Sequence, residues 1–336
     1  MHWALAAIAA TLIGGCTKKE TPAPAAEKPA TVQETKPSVV AVEPIKPLPN
    51  SVDVNMDKVL LGRSLFNDTA FSGDGTISCA TCHMLDHGGA EPRKTSTGIR
   101  GQIGPINAPT VLNSGYNFVQ FWDGRAKDLQ EQAAGPVANP VEMGAKWDNV
   151  VERLKKNQEY AAAFAKLYED GVTKDNATDA IAEYEKSLIT PSRFDKFLLG
   201  DETAITDAEK SGYATFKEVG CTACHTGIIA GGTMFQKMGL VKDYFADRGT
   251  PITKADLGRF NVTKNAADKH FFKVPTLRNV ELTSPYLHDG SRDTLEETVK
   301  VMGTYQLGRD LTDAQINSIV TFLKSLTGQL PPYAKR

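Results

Sequence analysis

Two five-residue stretches, Cys79-Ala80-Thr81-Cys82-His83 and Cys221-Thr222-Ala223-Cys224-His225, hold the groups in this sequence best placed to do chemistry. C-x-x-C-H is the spacing at which a haem c is attached. Two thiols on adjacent turns can each form a thioether to a haem vinyl group, and the histidine that follows can offer its imidazole to the iron. A zinc site or a pair of redox-active disulfides would also use C-x-x-C. Zinc gives no reason for a histidine directly after each pair. A thioredoxin-like motif would sit in a βαβ context, whereas the flanks here read as helical. The expectation is two covalently bound haem c groups, one on Cys79, Cys82 and His83 and one on Cys221, Cys224 and His225.

Each iron also has a sixth position to fill. In the second half, Met302 lies seven residues past Leu295 on a helix that Thr294 and Glu297 would cap. A thioether there raises the reduction potential and closes the iron, which suits electron transfer. Packing as a core side chain is the other role open to Met302. Met234 and Met238 are rival ligands, but they follow His225 so closely that reaching the opposite haem face is harder, so Met302 is the expected ligand. In the first half the same offset falls on Pro136, which cannot bind iron. The loop after His83 offers only His87, at an awkward reach. One closed iron and one open iron belong to an enzyme that reduces a small molecule, whereas two closed irons would make a relay.

The elements that must position these groups read as helices. Apolar periodicity marks helical stretches near 59–66, 126–134, 147–156, 159–169 and 179–189. Capping boxes at Thr206 with Glu209, Thr294 with Glu297 and Thr312 with Gln315 start three more. Strand-like alternation is nearly absent, so the class is all-α. A repeat sharpens this: Pro109-Thr110-Val111-Leu112-Asn113, Trp122-Asp123-Gly124-Arg125 and Leu129 can be laid on Pro275-Thr276-Leu277-Arg278-Asn279, His288-Asp289-Gly290 and Leu295. Two tandem cytochrome c-like domains, each around one haem, are expected at 51–195 and 196–330, followed by a tail at 331–336.

The chain has 336 residues, 41% of them hydrophobic, and a net charge of -2, with aromatics not concentrated in basic stretches. This gives no electrostatic case for nucleic acid or an anionic membrane surface as a partner. Four of the five cysteines lie in the haem motifs, and the fifth is Cys16. It closes an apolar run too short to span a bilayer, which reads as a signal peptide over 1–15 with Cys16 as a lipidation site. No lysine or arginine precedes that run. From 16 to 50 the composition reads as a disordered tether. Export to the periplasm, with anchoring as a lipoprotein, agrees with haem c attachment outside the cytoplasm.

With these residues in view, the sequence resembles the bacterial di-haem cytochrome c peroxidases. The stretches that carry the resemblance are Asn107-Ala108-Pro109-Thr110, Gln120-Phe121-Trp122-Asp123-Gly124-Arg125, Asn139-Pro140-Val141-Glu142-Met143-Gly144, Val274-Pro275-Thr276-Leu277-Arg278-Asn279-Val280 and Pro285-Tyr286-Leu287-His288-Asp289-Gly290. The resemblance implies reduction of hydrogen peroxide to water, with electrons from a small c-type cytochrome or a blue-copper protein. It implies that the C-terminal haem (His225, Met302) receives electrons and that the N-terminal haem (His83) meets peroxide. Trp122 would lie on the route between them, and Glu142, with Gln132 beside it, would do acid–base work. A calcium ion would be held by Asn107, Thr283 and Pro285, and the enzyme would be a homodimer. His288 matches a family histidine near the inter-domain region, and His270 reads as a surface residue. Where many members have a histidine that caps the peroxidatic iron, this sequence has Ile99, with Arg100 beside it. The first haem is therefore expected to be open without prior reduction, unless His87 substitutes. A non-enzymatic di-haem electron carrier is the alternative. A protein-modifying di-haem oxidase is another, but those relatives place a tyrosine where Met302 stands.

Overall fold

In the first half of the chain, α1 (Met56–Phe66), α2 (Cys79–Cys82), α3 (Leu129–Ala138), α4 (Trp147–Lys156), α5 (Gln158–Leu167) and α6 (Lys174–Ser187) follow in order. After α7 (Arg193–Leu198) the second half holds α8 (Asp207–Val219), α9 (Tyr244–Asp247), α10 (Phe260–Thr263), α11 (Leu295–Val301) and α12 (Asp313–Lys324). These elements come from a computed structural model that describes Gly15 and residues 43–335. Among the described residues no helix is long and apolar enough to cross a membrane. The expected signal peptide, apart from Gly15, and Cys16 lie outside the described residues, as does most of the tether.

The helix starts follow local hydrogen bonding. Thr206, Thr294 and Thr312 each accept from the backbone three residues on, and Glu209, Glu297 and Gln315 reach back. Helix α6 begins at the Thr173 cap, earlier than its apolar pattern, because its first residues, Lys174 and Asp175, are exposed.

Packing repeats in the two halves. Helix α1 lies on α6, and α8 lies on α12. Both crossings need a glycine: a Cβ on Gly62 would sit 1.9 Å from Ala180 O, and one on Gly212 would sit 2.1 Å from Ser318 O. The first core is built from Leu65, Phe66, Phe71, Leu154, Phe164 and Tyr184, and the second from Phe194, Tyr213, Phe216, Ile319 and Phe322. A smaller cluster of Met238, Tyr244, Phe245 and Phe272 has Trp122 packed against it.

Three expectations need correction. Among the described residues the all-α class carries one exception, an antiparallel pair of β1 (Phe235–Lys237) and β2 (Phe271–Lys273). Strands of three residues are too short for alternation to show. Order begins before residue 51: Ile45 and Leu48 are buried, the Tyr213 hydroxyl donates to Glu43, and Leu48 N donates to Asp195 Oδ1 at 2.7 Å. Single apolar residues between prolines have no period by which to announce themselves. Residues 331–335 of the expected tail pack onto the first half rather than standing apart from it. Ala334 is buried in the first core, Tyr184 donates to its carbonyl at 2.8 Å, and Arg63 donates to Tyr333 O at 3.0 Å.

Candidate haem sites

Both C-x-x-C-H stretches close a short helical turn, Cys79–Cys82 in one half and Cys221–Ala223 in the other. The chain then folds back over each histidine. His83 Nδ1 lies 3.3 Å from Gly89 O, and His225 Nδ1 lies 3.1 Å from Ala230 O. A carbonyl oxygen only accepts, so Nδ1 carries the hydrogen and Nε2 keeps its lone pair for a metal. Burial lowers both imidazoles, His225 to about 4, and keeps them neutral as a ligand must be. The four thiols form no disulfide, and burial pushes those of Cys79, Cys82 and Cys221 up to about 12. They suit a site whose sulfurs end as thioethers.

The repeat extends to backbone detail. Thr110 Oγ1 donates to Gly88 O at 2.5 Å, and Thr276 Oγ1 donates to Ile229 O at 2.7 Å. Asn113 and Asn279 both take left-handed backbone angles, φ 59° and 60°. Their amides meet on one hydroxyl, with Nδ2 of each donating to Thr190 Oγ1 at 2.8 and 2.7 Å.

Two cavities result. Cys79, Cys82, His83, Gln132 and Glu142 line the first, whereas Cys221, Cys224, His225 and Met302 line the second. Trp122 and residues 107–110 border both. Pro136 lines the first cavity at the position that Met302 holds in the repeat. Of the rivals to Met302, Met238 also lines the second cavity and Met234 does not. Met143, which spacing did not single out, borders the first while packing into its core. His87 is exposed and Ile99 is buried in the core, with Arg100 exposed beside it, and none of the three borders the first cavity. Its one lining histidine among the described residues is His83.

Glu142 is half-buried and accepts from Asn139 Nδ2 at 2.9 Å. Burial pushes its carboxyl up, and the Arg125 charge and the Asn139 hydrogen bond pull it partly back. Arg125 itself lies on the Phe121 ring at 3.4 Å and pairs with Asp123 at 3.0 Å. Trp122 donates from Nε1 to Asn107 O at 3.0 Å and meets Phe272 and His288 edge-on. His288 is buried, with Nε2 2.7 Å from Asp256 Oδ1. His270 is not simply at the surface: it is half-buried, stacked on Phe245, with Nδ1 2.8 Å from Asp256 O.

Asn107, Thr283 and Pro285 all border the second cavity. Asn107 donates from Nδ2 to Arg93 O and Lys94 O, at 3.1 and 3.3 Å, which leaves its Oδ1 available as a hard donor. A different group, Asp256, His288 and Asp289, is close enough to share an ion, but the Arg248 guanidinium lies 2.8 Å from Asp256 and 3.0 Å from Asp289 and supplies their positive charge.

Sequence reasoning passed over three groups at these cavities: Arg125, Glu185 and Lys273. Arg125 stood inside a quoted motif. Nothing in the local sequence distinguishes the other two, because their surroundings come from remote segments.

Paired C-x-x-C-H turns, a cavity at each, and one tryptophan bordering both define a di-haem c-type cytochrome. A family model described as di-haem cytochrome c peroxidase matches residues 56–203. The chain is 51% identical over 294 residues to cytochrome c peroxidase Ccp of Escherichia coli, covering 87% of this chain and 62% of that protein's length. It is 48% identical over 297 residues to cytochrome c551 peroxidase of Nitrosomonas europaea, covering 88% and 87% of the two chains. The solved structure of a MauG-like protein associated with microbial copper homeostasis matches with a TM-score of 0.72 at 27% identity, over 88% of this chain and 96% of that one. The chain belongs to the di-haem cytochrome c peroxidase family, oxidoreductases that carry two haem c groups.

Proposed function

We propose that this protein reduces hydrogen peroxide to two waters, with electrons entering at the C-terminal haem from a small c-type cytochrome or a blue-copper protein and passing to the N-terminal haem. The supporting observation is the difference between the two cavities: Met302 borders one, and Pro136 stands at its place in the other, where Glu142 and Gln132 gather instead. The bound haems supply the redox-active iron and the electrons that O–O cleavage consumes. Glu142 moves the proton from the near oxygen of peroxide to the leaving one. Burial favours its protonated form, and Asn139 holds it in place. The cation of Arg125 offsets negative charge that develops at the departing oxygen. Gln132 offers a polar contact to peroxide or water in the same cavity.

Trp122, fixed by its bond to Asn107 O, is the conduit between the haems. Calcium held by Asn107, Thr283 and Pro285 would stiffen that link, since Asn107 serves both the ion and the indole. We place the two cytochrome c-like domains at the two hydrophobic cores, each around one haem, and the protein in the periplasm, tethered through a lipidated Cys16.

Peroxide turnover with a reduced small cytochrome, measured beside the spectrum of each haem, tests the proposal. The expected result is turnover, with one methionine-ligated low-spin haem and one open haem in the half-reduced protein. No turnover, with both haems six-coordinate at every redox level, would make the protein an electron carrier.

A further inference from the structure

Lys273 ends β2 and borders the second cavity, and it is only 6% exposed. Among the described residues its ammonium has no ion pair and no hydrogen bond; burial alone acts on it and pushes its pKa down to about 8. The other buried cations of this fold are matched. Arg278 pairs with Asp195 at 2.8 Å and donates to Lys46 O, and Arg248 pairs with Asp256 and Asp289. A buried ammonium with no counter-charge is strongly disfavoured, so this cavity, unlike those sites, awaits an anion.

The lining narrows what that anion is. Among the described residues no aspartate, glutamate or arginine borders the second cavity, and Lys273 is its one lysine. The rest is mostly apolar, with His225, His288 and the two thiols on it, and His288 already has Asp256 as its partner. A group that fills this space must therefore bring its own negative charge to Lys273. The backbone fixes where: Lys273 N donates to Trp122 O at 2.8 Å, which holds the residue at the tryptophan border of the cavity. Haem carries two carboxylates at the edge opposite its vinyl groups, and the vinyls belong with Cys221 and Cys224.

We propose that Lys273 forms a buried ion pair with a propionate of the C-terminal haem. This rests on the reading of the second cavity as the seat of that haem. The pair orients the ring between the thioether end and the tryptophan end, and it neutralises an anion that would otherwise favour the oxidised iron. Lys273 is a positioning residue, acting on electron transfer through the haem it holds.

The test uses the intact holoprotein and the variants Lys273→Met and Lys273→Arg, with two readouts. One is the propionate bending bands in the resonance Raman spectrum, and the other is the midpoint potential of each haem by spectroelectrochemistry. Lys273→Met is expected to displace one propionate band and lower the potential of one haem, and Lys273→Arg to restore the potential. The affected haem must be the one lost in a Cys221→Ser, Cys224→Ser double variant. Unchanged bands and potentials in Lys273→Met would overturn the ion pair. A change confined to the other haem would instead overturn the assignment of the cavity. Should Lys273→Met fail to assemble, Lys273→Arg still decides, since a guanidinium in place of the ammonium must displace the band, and an unmoved band refutes the pair.

Discussion

Glu142 and Glu185 border the same cavity, yet their surroundings give them different work. Glu142 is half-buried, with Arg125 and Asn139 countering the effect of burial. Such a carboxyl can exchange protons in turnover. Glu142→Gln is expected to lower peroxide turnover by about 10²–10⁴-fold, with haem content and spectra unchanged, and steady-state assay beside absorption spectra checks this. Glu185 is 4% exposed, and burial alone pushes it up to about 8, so it stays protonated at neutral pH. Its folded pKa lies above its unfolded one. Between about pH 4.5 and 8 the folded chain thus binds the proton that the unfolded chain has released, and stability falls as pH rises by up to about 1.4 kcal/mol per unit from this residue. Denaturation midpoints at pH 5 and pH 8 should show that decline in the wild type and a shallower one in Glu185→Gln.

At the scale of the elements, the two halves meet on one hydroxyl. Asn113 and Asn279 lie at equivalent places in the repeat and both donate to Thr190 Oγ1. Thr190→Val would leave two buried amide groups short of a partner, at about 1–3 kcal/mol each. Chemical denaturation should show a loss of that order, with both haems still attached. The helices themselves were largely legible, because apolar period and capping boxes are local. Trp147–Lys156 was bounded from the sequence as it stands in the structure, and α8, α11 and α12 start at the threonines that announced them. What stayed hidden depends on distant partners. Three-residue strands have no readable period, and Ile45 gains its core only from residues far along the chain. The cysteines and histidines of the two motifs and Met302, all of which line the cavities, could be singled out by spacing. Lys273 and Glu185 could not, since a charge becomes remarkable only once the structure shows that nothing answers it.

For the whole molecule the decisive property is how differently its two metal seats are furnished. His87 is exposed and does not border the first cavity, and Ile99 has no imidazole to give, so His83 is the one imidazole lining that cavity among the described residues. The fully oxidised protein is expected to lack a bis-histidine low-spin EPR signal from that haem and to consume peroxide without first being reduced. A bis-histidine signal, or a lag that only a reductant removes, would refute this.

The segments before and after the repeat are exchanged between the halves: Ile45 completes the second core and Ala334 completes the first. A gene divided at the junction of the two copies would yield fragments that each lack a piece kept by the other. The two lobes are thus tied by crossed straps, and scission between them is expected to cost each lobe a buried piece of its own core.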